Sequence, residues 1–555
     1  MVPYLFILPA FIIHACIVTG PALSTLVMSL FDWNGMGNAK FIGFKNFSEI
    51  FKDPLVKLSV VHNIQWLLIF ITVPLILGFI VAIIVSQLRR SQMFFRTIYF
   101  IPYVISAAVA GKIWTAYMNP YYGFNQVFAK AGWTELSKVL WLGNPKIALF
   151  AVAFVDNWHW WGFIMVLFLG ALQQVDPTLY EAARVDGANR FQELIHVSIP
   201  GIKQTIAFVL IMTIMWSFLT FDYVYIMTNG GPANATEIMS TYIYKNAFVK
   251  YRAGYANALC VIQSGICVIL YFLQKYISKK EGWKMNSGVK IGAKYKISSF
   301  IKYVFLIIMA LFAAVPLFQV FINAFRTDRE CKSMPLGLPK EWVFNNFQET
   351  WQIGGYATAY FNSLLTAFVV IVVVLVVVGL GAYSISKLEF KMRGFFTAYF
   401  FVAISLPGFL YIVPDYFVMN KLGLVDTRWS LMIVYTAMQI PFNMLLLRTF
   451  LAGIPRELEE AAKIDGCNEL NSFLRVTLPI AKPMFLTIAI LVFVNVWNEF
   501  LWSNTFITSE ELKLVATRFV KFTGEYGSNM ARIYTASVIT IAPVIILYLF
   551  FSRNL

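Results

Sequence analysis

The sequence contains few charged residues for its length. Only 13% of its 555 residues are charged and 59% are hydrophobic, whereas soluble globular proteins have about 25% charged and about 45–50% apolar residues. The mean hydropathy is correspondingly high, at +0.69. These values exclude a soluble enzyme and a disordered protein, and they predict a polytopic membrane protein.

Several patterns that carry chemistry are absent as well. The five cysteines form no CxxC pair, and the sequence has no HxxxH and no GxSxG, so we expect no metal site, no disulfide framework and no hydrolase nucleophile. No GxxxxGK[ST] phosphate loop occurs, which predicts that the chain does not itself bind ATP by that route. The N-terminus lacks the basic stretch and cleavage site of a signal peptide, so residues 1–31 are predicted to be a first span.

The net charge of +16 is explained by basic loops that face a cytoplasm and anionic lipid headgroups. Residues 89–96 and 387–394 carry three basic residues each, and residues 275–302 carry eight lysines and one glutamate. Placing these loops in the cytoplasm puts both chain termini there too. No basic stripe with interleaved aromatic residues occurs outside the apolar runs, so the expected partner is the lipid bilayer and not a nucleic acid.

Apolar runs long enough to cross a bilayer recur along the chain. Five of them are free of charge: residues 1–31, 58–88, 303–325, 361–386 and 533–552. The others centre near residues 107, 160, 214, 265, 405, 440 and 493. The predicted fold class is an all-α polytopic membrane protein with about twelve transmembrane helices, six in each half.

Each half contains one copy of a polar block. Residues 181–200 read EAARVDGANRFQELIHVSIP and residues 460–479 read EAAKIDGCNELNSFLRVTLP. The offset is 279 residues without a gap, and Glu, Ala, Ala, Asp, Gly, Asn, Val and Pro recur at identical positions. Both blocks lie between two predicted spans on the cytoplasmic side. The sequence therefore predicts two homologous six-span units in parallel orientation.

Each block is predicted to fold as a helix–turn–helix outside the membrane. A first short helix ends at Gly187 or Gly466, because glycine suits the turn that ends a helix. A second short helix follows, and Pro200 or Pro479 begins the next span, because proline favours a first helical turn. A capped amphipathic connector on the headgroups would explain one such block, but two copies with the same E-A-A-x(3)-G-x(12)-P spacing favour a functional role.

These blocks resemble the cytoplasmic coupling motif of the permeases of ATP-binding-cassette importers, and the wider context is similar to the maltose-type, sugar-importing branch. Residues 221–248, FDYVYIMTNGGPANATEIMSTYIYKNAF, resemble the signature of one permease subunit, and residues 494–502, VNVWNEFLW, resemble that of its partner. In that family the two subunits are usually separate chains that form a heterodimer, whereas here they occur in tandem. The resemblance implies a bacterial cytoplasmic membrane.

The predicted organisation is a first permease unit at residues 1–280 and a second at residues 301–555. Residues 281–300 between them are a basic cytoplasmic linker or the N-terminus of a second subunit. Met285 resembles the start of an independent subunit. A natural fusion, an engineered fusion and two products written as one all stay open.

The resemblance implies that ATP and magnesium bind to two separate ATPase subunits, so that the chain is a transport component with no cofactor of its own and not an enzyme. An extracytoplasmic binding protein would deliver a sugar, and the two halves would pair as a pseudo-heterodimer that rocks between inward- and outward-facing states. Each block would dock on one ATPase subunit. The coupling residues so implied are Glu181, Ala182, Ala183, Asp186, Gly187, Pro200, Glu460, Ala461, Ala462, Asp465, Gly466 and Pro479.

Polar groups in the middle of spans indicate a candidate substrate path, because ionisable groups there are costly. Asp156 lies among aromatic residues at the centre of the fourth span, and a polar stripe shares one face of the fifth: Thr213, Trp216, Ser217 and Thr220. Aromatic rings with hydroxyl and amide groups at their edges suit an uncharged sugar. By resemblance and motif spacing, the sugar-contacting positions are Tyr103, His159, Trp160, Phe163, Trp216, Ser217 and Thr220. Several differ from the asparagine-rich pattern of maltose importers.

Other interpretations stay open. A stripe of Trp and Thr at helical spacing is often helix packing, and Asp156 could pair with Lys112 and be structural. Trp497, Asn498 and Glu499 could line the cavity or lock the halves together. A permease for a polyol phosphate such as glycerol phosphate would need basic residues in the cavity, where only Lys112 is a candidate. A secondary transporter with 6+6 repeats would need no ATPase.

Overall fold

The computed structural model describes residues 2–88, 90–280, 299–334, 336–404, 406–523 and 529–551. Most of the predicted linker, residues 281–298, therefore lies outside the described residues. Ten described helical segments are long and apolar enough to cross a membrane. They are Val2–Met28, Pro54–Ser86, Ala148–Gln173, Lys203–Met227, Ala253–Leu270, Phe300–Asn323, Tyr356–Lys387, Arg428–Ala452, Glu469–Asn498 and Met530–Phe551.

Two bent helix pairs complete the set, and spans 1 to 12 are numbered here in chain order with each pair counted as one. Span 3 consists of Gln92–Val104 and Ala107–Tyr117, which meet at 92°, and span 9 consists of Arg393–Ile404 and Phe409–Lys421, which meet at 99°. The sequence predicts spans centred near residues 107 and 405, and the structure shows that a bend lies near the middle of each. Pro102 lies in the last turn before the first bend, where proline disfavours a continuous helix.

Span 3 crosses the membrane despite its bend, as its contacts with span 7 show. The hydroxyl of Tyr99 donates to the carbonyl of Leu306 at 2.7 Å. The hydroxyl of Tyr117 donates to the carbonyl of Pro316 at 2.8 Å. The two acceptors are about 15 Å apart along a helix, and beyond both spans Lys130 Nζ donates to the carbonyl of Ser333 at 3.3 Å. Span 3 therefore progresses in the same direction as span 7 and ends on the same side.

Span 9 crosses as well. Lys387, the last residue of span 8, donates to the carbonyl of Ile454 just beyond span 10 at 2.7 Å. Spans 8 and 10 can end on the same side only if span 9 crosses between them. The prediction of twelve spans, six in each half, is therefore confirmed.

Shorter elements cap and connect the spans. The helices are Lys45–Lys52, Phe124–Lys130, Thr134–Ser137, Pro177–Val185, Arg190–Glu193, Ile199–Gly201, Asp222–Met227, Met239–Tyr244, Asp328–Ser333, Asn345–Gly354, Glu457–Ile464, Glu469–Ser472, Leu501–Phe506 and Val515–Arg518. Wider π-turns occupy Ala15–Thr19, Leu194–Ser198, Lys245–Val249 and Phe473–Thr477, and 3₁₀ turns occupy Glu510–Leu512 and Phe519–Thr523. A small antiparallel hairpin pairs Phe31–Asp32 with Lys40–Phe41.

The outer spans of each half pack on the other half. Span 1 packs along span 8, and span 7 packs along span 3. One hydrophobic core accordingly combines spans 2 to 5 with spans 7 and 12, and the other combines spans 8 to 11 with spans 1 and 6. Each core is thus completed by two spans from the other half, so the halves are interlocked.

Buried hydrogen bonds hold the exchanged spans in place. The indole Nε1 of Trp158 in span 4 donates to the carbonyl of Phe312 in span 7 at 2.9 Å. In the other core, the hydroxyl of Ser384 in span 8 donates to the carbonyl of Pro3 in span 1 at 2.8 Å. Bonds of this kind replace water for backbone groups inside the hydrocarbon layer.

A second duplication lies on the outer side and is not among the sequence-based predictions. Residues 44–51 read FKNFSEIF and residues 344–351 read FNNFQETW, at an offset of 300 residues. They form the helices Lys45–Lys52 and Asn345–Gly354, named here the first and second outer helix. The repeated pattern shows that the duplication extends to the outer side of the bundle.

Each outer helix ties the end of one span to the start of another. The amide of Asn46 donates to the carbonyls of Ser29 and Phe31, at 2.8 and 2.9 Å, and Asn346 donates to two carbonyls at the end of span 7 in the same way. Ion pairs complete the connection to spans 6 and 12. They are Glu49–Arg252 at 2.6 Å and Glu349–Arg532 at 2.9 Å.

We predict that the halves stay together after the connection between them is cut, because each core contains spans from both. The change is a protease site inserted within residues 285–295. After cleavage and purification in mild detergent through a C-terminal tag, both halves should elute as one complex and give two bands on a denaturing gel. Recovery of the tagged half alone would contradict the exchange of spans.

Candidate functional site

Both polar blocks form the predicted helix–turn–helix. The first helices, Pro177–Val185 and Glu457–Ile464, are followed by Gly187 and Gly466. The φ angles of these glycines are 80° and 82°, in the left-handed region that glycine adopts without strain. The turn geometry is therefore the same in both blocks.

The second helix of each block begins at an asparagine cap. Asn189 accepts from the amide of Gln192 at 2.9 Å, and Asn468 accepts from the amide of Asn471 at 2.8 Å. In both blocks the helix then widens into a π-turn, Leu194–Ser198 or Phe473–Thr477, immediately before the helical segment that contains Pro200 or Pro479. π-turns of this kind often lie at functional positions.

Each block exposes three apolar side chains at matching positions. Val185 and Ile464 are each 87% exposed, which is unusual for aliphatic side chains on a helix end and is typical of an interaction surface. The other exposed pairs are Leu179 with Leu458 and Phe191 with Leu470. We name these six residues the coupling faces.

The residues implied by the family resemblance surround the coupling faces. The carboxylates among them, Glu181, Asp186, Glu460 and Asp465, are all exposed. The small and turn residues range from exposed to buried: Ala182, Gly187, Ala461, Gly466 and Pro479 are exposed, Ala183 and Pro200 are half-buried, and Ala462 is buried. Their role in coupling stays a prediction.

Ion pairs within the first block hold its two helices together. Arg184 contacts Glu193 at 2.8 Å, and Arg190 contacts the other oxygen of Glu193 at 3.1 Å. The hydrogen bond and the charge of Glu193 raise the pKa of Arg184. At the start of the first helix, the amide and hydroxyl of Thr178 lower the pKa of Asp176. These contacts make the first block a self-contained unit.

The second block also has an ion pair between its helices, Lys463–Glu469 at 2.8 Å, and it is in addition joined to span 8 by a buried ion pair. Lys387 Nζ lies 3.3 Å from Glu459 Oε1, and their side chains are only 2% and 9% exposed. The position of Glu459 corresponds to Tyr180 in the first block, whose hydroxyl lies 3.0 Å from the hydroxyl of Ser198. The second block is therefore attached to span 8 by an ion pair, whereas the corresponding Tyr180 bonds within its own block. The two repeats show this difference only as Glu against Tyr.

The predicted substrate residues of spans 3, 4 and 5 meet in one aromatic cluster. Trp160 and Trp216 stack with ring centroids 4.6 Å apart and an interplanar angle of 13°. Tyr103 and Phe163 stack in the same way at 4.5 Å. Trp160 joins the two stacks, because its ring lies 5.3 Å from that of Phe163. The structure thus brings four of these residues together.

Asp156 lies at the edge of this cluster and is fully buried. Its carboxylate accepts from the indole Nε1 of Trp66 at 3.2 Å and from that of Trp216 at 3.3 Å. Its hydrogen-bond partners are thus two indoles, and Lys112 forms no ion pair with it within the described residues. Asp156 accordingly orients the Trp216 ring of the stack.

The polar stripe of span 5 is directed largely into its own helix. The hydroxyl of Thr213 donates to the carbonyl of Val209 at 2.7 Å, and that of Ser217 donates to the carbonyl of Thr213 at 2.8 Å. Such local bonds satisfy the hydroxyl protons without a ligand. Thr220 lies at the end of the regular helix, so of the stripe only Trp216 belongs to the aromatic cluster.

The bend in span 3 is stabilised by side chains from both halves. His159 Nε2 donates to the carbonyl of Ile105 at 2.8 Å. Asn498 of the second half donates to the carbonyl of Val104 at 2.8 Å. Carbonyls at a helix end need partners inside a membrane, so Asn498 acts here as a lock between the halves.

The neighbours of Asn498 serve their own half. Trp497 donates to the carbonyl of Thr540 at 3.1 Å. Glu499 accepts from the amides of Trp502 and Ser503, at 2.8 and 3.0 Å, at the start of the helix Leu501–Phe506. Of the three residues, Asn498 bonds across the halves, whereas Trp497 joins span 11 to span 12 and Glu499 caps the helix that follows span 11.

Besides the hydroxyl of Thr220, three polar atoms in or beside the cluster are buried and have no hydrogen-bond partner within the described residues. They are Trp160 Nε1, His159 Nδ1 and the hydroxyl of Tyr223. Buried polar groups almost always have a partner. The site therefore contains two donors and, because His159 Nε2 already donates, one acceptor that a bound molecule can satisfy.

The described residues of the site form no metal centre. In the described ranges, no group of three or more His, Cys, Asp or Glu side chains could hold a metal ion. The arrangement consists of stacked rings, a few hydrogen-bonding groups and two exposed coupling faces. Together with the twelve interlocked spans, these features define a polytopic membrane permease built from two tandem units.

The family of the chain is shown by two matching segments. Residues 74–282 and residues 376–555 match the family described as "Binding-protein-dependent transport system inner membrane component". The chain therefore belongs to the inner membrane components of binding-protein-dependent transport systems, and it contains two such components in tandem. This confirms the predicted class, the predicted resemblance and the predicted location in the cytoplasmic membrane.

Individual relatives are about half as long as this chain. The "Probable ABC transporter permease protein YurN" of Bacillus subtilis is 35% identical over 278 residues, which are 49% of this chain and 94% of the relative. The "Diacetylchitobiose uptake system permease protein NgcF" of Streptomyces coelicolor is 33% identical over 288 residues, 50% of this chain and 80% of the relative. A solved bacterial ABC transporter involved in the import of the acidic polysaccharide alginate is 20% identical, with a TM-score of 0.45, and covers 50% of this chain and 95% of its own.

We predict that Lys387→Met strongly destabilises the protein, because it leaves Glu459 buried without its counter-charge. Removing one partner of a buried ion pair costs about 3–5 kcal/mol, whereas replacing both by apolar residues is close to neutral. The thermal unfolding midpoint of purified protein should fall for Lys387→Met and recover in Lys387→Met with Glu459→Leu.

The matched control is Arg456→Met, which breaks the exposed pair with Glu389. An exposed pair contributes about 0–1 kcal/mol, so this variant should unfold close to the wild-type temperature. An equal effect of Lys387→Met and Arg456→Met would show that the buried pair does not fix the second block.

Proposed function

We propose that the chain is the permease of an ATP-driven importer that carries a sugar or oligosaccharide into the cytoplasm. The observation that carries this proposal is the pair of coupling faces, which expose the same apolar positions at the same offset in both halves. Two matched surfaces fit two copies of one partner. The partner is an ATPase subunit, and the chain itself hydrolyses no ATP.

The coupling faces are suited to transmit movement. Each lies on a compact helix–turn–helix that continues through a π-turn into span 5 or span 11. When the ATPase subunits close on ATP, they draw the two blocks together, and spans 5 and 11 follow. Because the cores are interlocked, the whole of each core moves as a body. An extracytoplasmic binding protein delivers the sugar to the opposite side.

We predict that Val185→Glu and Ile464→Glu each weaken ATPase binding, because each places a charge in an apolar contact. Losing a buried aliphatic side chain removes about 1.5–3 kcal/mol, or about 10- to 100-fold in affinity. The measurement is the amount of ATPase that co-purifies from a mild detergent. Val249→Glu, which changes a 63% exposed valine on the outer side, is the control. Unchanged co-purification of the ATPase with a variant that carries both Val185→Glu and Ile464→Glu would contradict the proposal.

The aromatic cluster supports a sugar as the cargo. Flat rings contact the C–H faces of a sugar, and its hydroxyl groups both donate and accept hydrogen bonds. The unpartnered donors Trp160 Nε1 and Tyr223 OH and the unpartnered acceptor His159 Nδ1 match that chemistry. The NgcF relative, named for diacetylchitobiose uptake, suggests an oligosaccharide as the first substrate to test.

We predict that Trp160→Ala lowers sugar uptake about tenfold, equivalent to about 1.4 kcal/mol of lost interaction, because it removes one ring of the stack and an unpartnered donor. Uptake of radiolabelled diacetylchitobiose and of glycerol 3-phosphate is measured in vesicles that contain the complete transporter. Trp133→Ala, which changes a 58% exposed tryptophan between spans 3 and 4, should leave uptake unchanged. Glycerol 3-phosphate uptake that survives Trp160→Ala would favour the polyol-phosphate alternative.

A further inference from the structure

The two outer helices expose aromatic side chains at matching positions. Phe44 and Phe344 are 75% and 67% exposed, and Phe51 and Trp351 are 70% and 38% exposed. Residues seven positions apart lie on one face of a helix, so the matching rings share one face of each outer helix. In the second outer helix, Trp351 contacts Tyr360 of span 8, with ring centroids 5.1 Å apart. Four large exposed rings at repeated positions indicate a partner that covers them.

A groove lies between the second outer helix and spans 8 and 12. Its volume is about 470 Å³. Gln348 and Gln352 lie on its polar rim, Trp351 and Tyr360 form an aromatic wall, and aliphatic side chains around Ile539 of span 12 form its floor. The polarity therefore falls from the outer helix toward the interior of the bundle.

The groove is continuous with the surface of the bundle that faces lipid. Phe361 and Leu364, one turn further along span 8, are 59% and 48% exposed. Apolar side chains that are exposed on a membrane span contact acyl chains. The outer helices themselves pack on spans 6 and 12, the last span of each half. The groove thus opens toward the bilayer.

We propose that this groove binds a phospholipid of the outer leaflet. The phosphate or ester oxygens accept hydrogen bonds from the amides of Gln348 and Gln352, neither of which has a side-chain hydrogen bond to another described residue. One acyl chain lies on the floor around Ile539. Trp351 and Tyr360 contact the glycerol region, where amphipathic rings are favoured in membranes.

The first outer helix lies in the same headgroup layer. Its exposed rings, Phe44 and Phe51, insert between lipids, and Lys45 and Lys52 at its two ends lie at the level of the phosphates, as in interfacial amphipathic helices. The bound lipid therefore stabilises the second outer helix, which connects the end of span 7 to span 12. This site is independent of the sugar path and of the coupling faces.

The test is a photo-crosslinking benzophenone side chain placed at Gln348 in the complete transporter, reconstituted in nanodiscs of phosphatidylethanolamine and phosphatidylglycerol. After irradiation, mass spectrometry should detect peptides that contain residue 348 with the added mass of a phospholipid. The corresponding position in the first outer helix, Ser48, should give the same adduct. Asn234, exposed in the outer loop 228–238, is the control and should give little.

A second experiment fills the groove with a larger side chain. Ala542→Phe places a ring on the groove wall and should lower the adduct yield at Gln348 about tenfold, while the yield at Ser48 stays unchanged and shows that the protein is folded. Absence of lipid adducts at Gln348, or equal yields with and without Ala542→Phe, would overturn the proposal. Adducts to an added binding protein in place of lipid would overturn it as well.

Discussion

Spans 7 and 12 complete the hydrophobic core of the first half, and spans 1 and 6 complete that of the second. A transmembrane bundle has no water to satisfy polar groups, and the exchanged spans supply partners for some of them: span 7 accepts from Tyr99 and Tyr117 of span 3, and span 1 accepts from Ser384 of span 8. The first and second outer helices then fix the ends of the exchanged spans. This exchange lets each half move as a body without separating from the other.

The two halves are alike in architecture and different in chemistry. The first contains the aromatic cluster, with Asp156 held by two indoles and with buried polar atoms of Trp160, His159 and Tyr223 that lack a hydrogen-bond partner among the described residues. The second contributes Asn498, which locks the bend of span 3, and a coupling block fixed to span 8 by Lys387 and Glu459. We infer a division of labour, in which one half binds cargo and the other transmits force with a stiffer connection.

The spans and the coupling blocks could be predicted from the sequence because their signals are local. Apolar length identifies a span, and glycine and proline spacing identifies the turns around Gly187 and Gly466. Pro102 is a local signal for the bend near residue 104, but the partners that stabilise this bend, His159 and Asn498, lie far away in the chain and could not be predicted. The exchange of outer spans has no local signal either.

Some features are visible in the sequence but give only a weak signal. The repeat FKNFSEIF and FNNFQETW is present in the sequence, yet eight residues with four identical aromatic, amide and acidic positions are easily overlooked beside the twenty-residue polar block. The stripe in span 5 shows the opposite case. Its helical spacing predicts a common face, but Thr213 and Ser217 direct their hydroxyl protons into their own helix, which spacing alone does not reveal.

The measurement that tests the account most directly is the distance between spin labels at Asp186→Cys and Asp465→Cys, by pulsed electron paramagnetic resonance, with the native cysteines replaced and the ATPase subunits bound. ATP and a sugar-loaded binding protein should shorten this distance, and an unchanged distance during active uptake would contradict coupling through the two blocks.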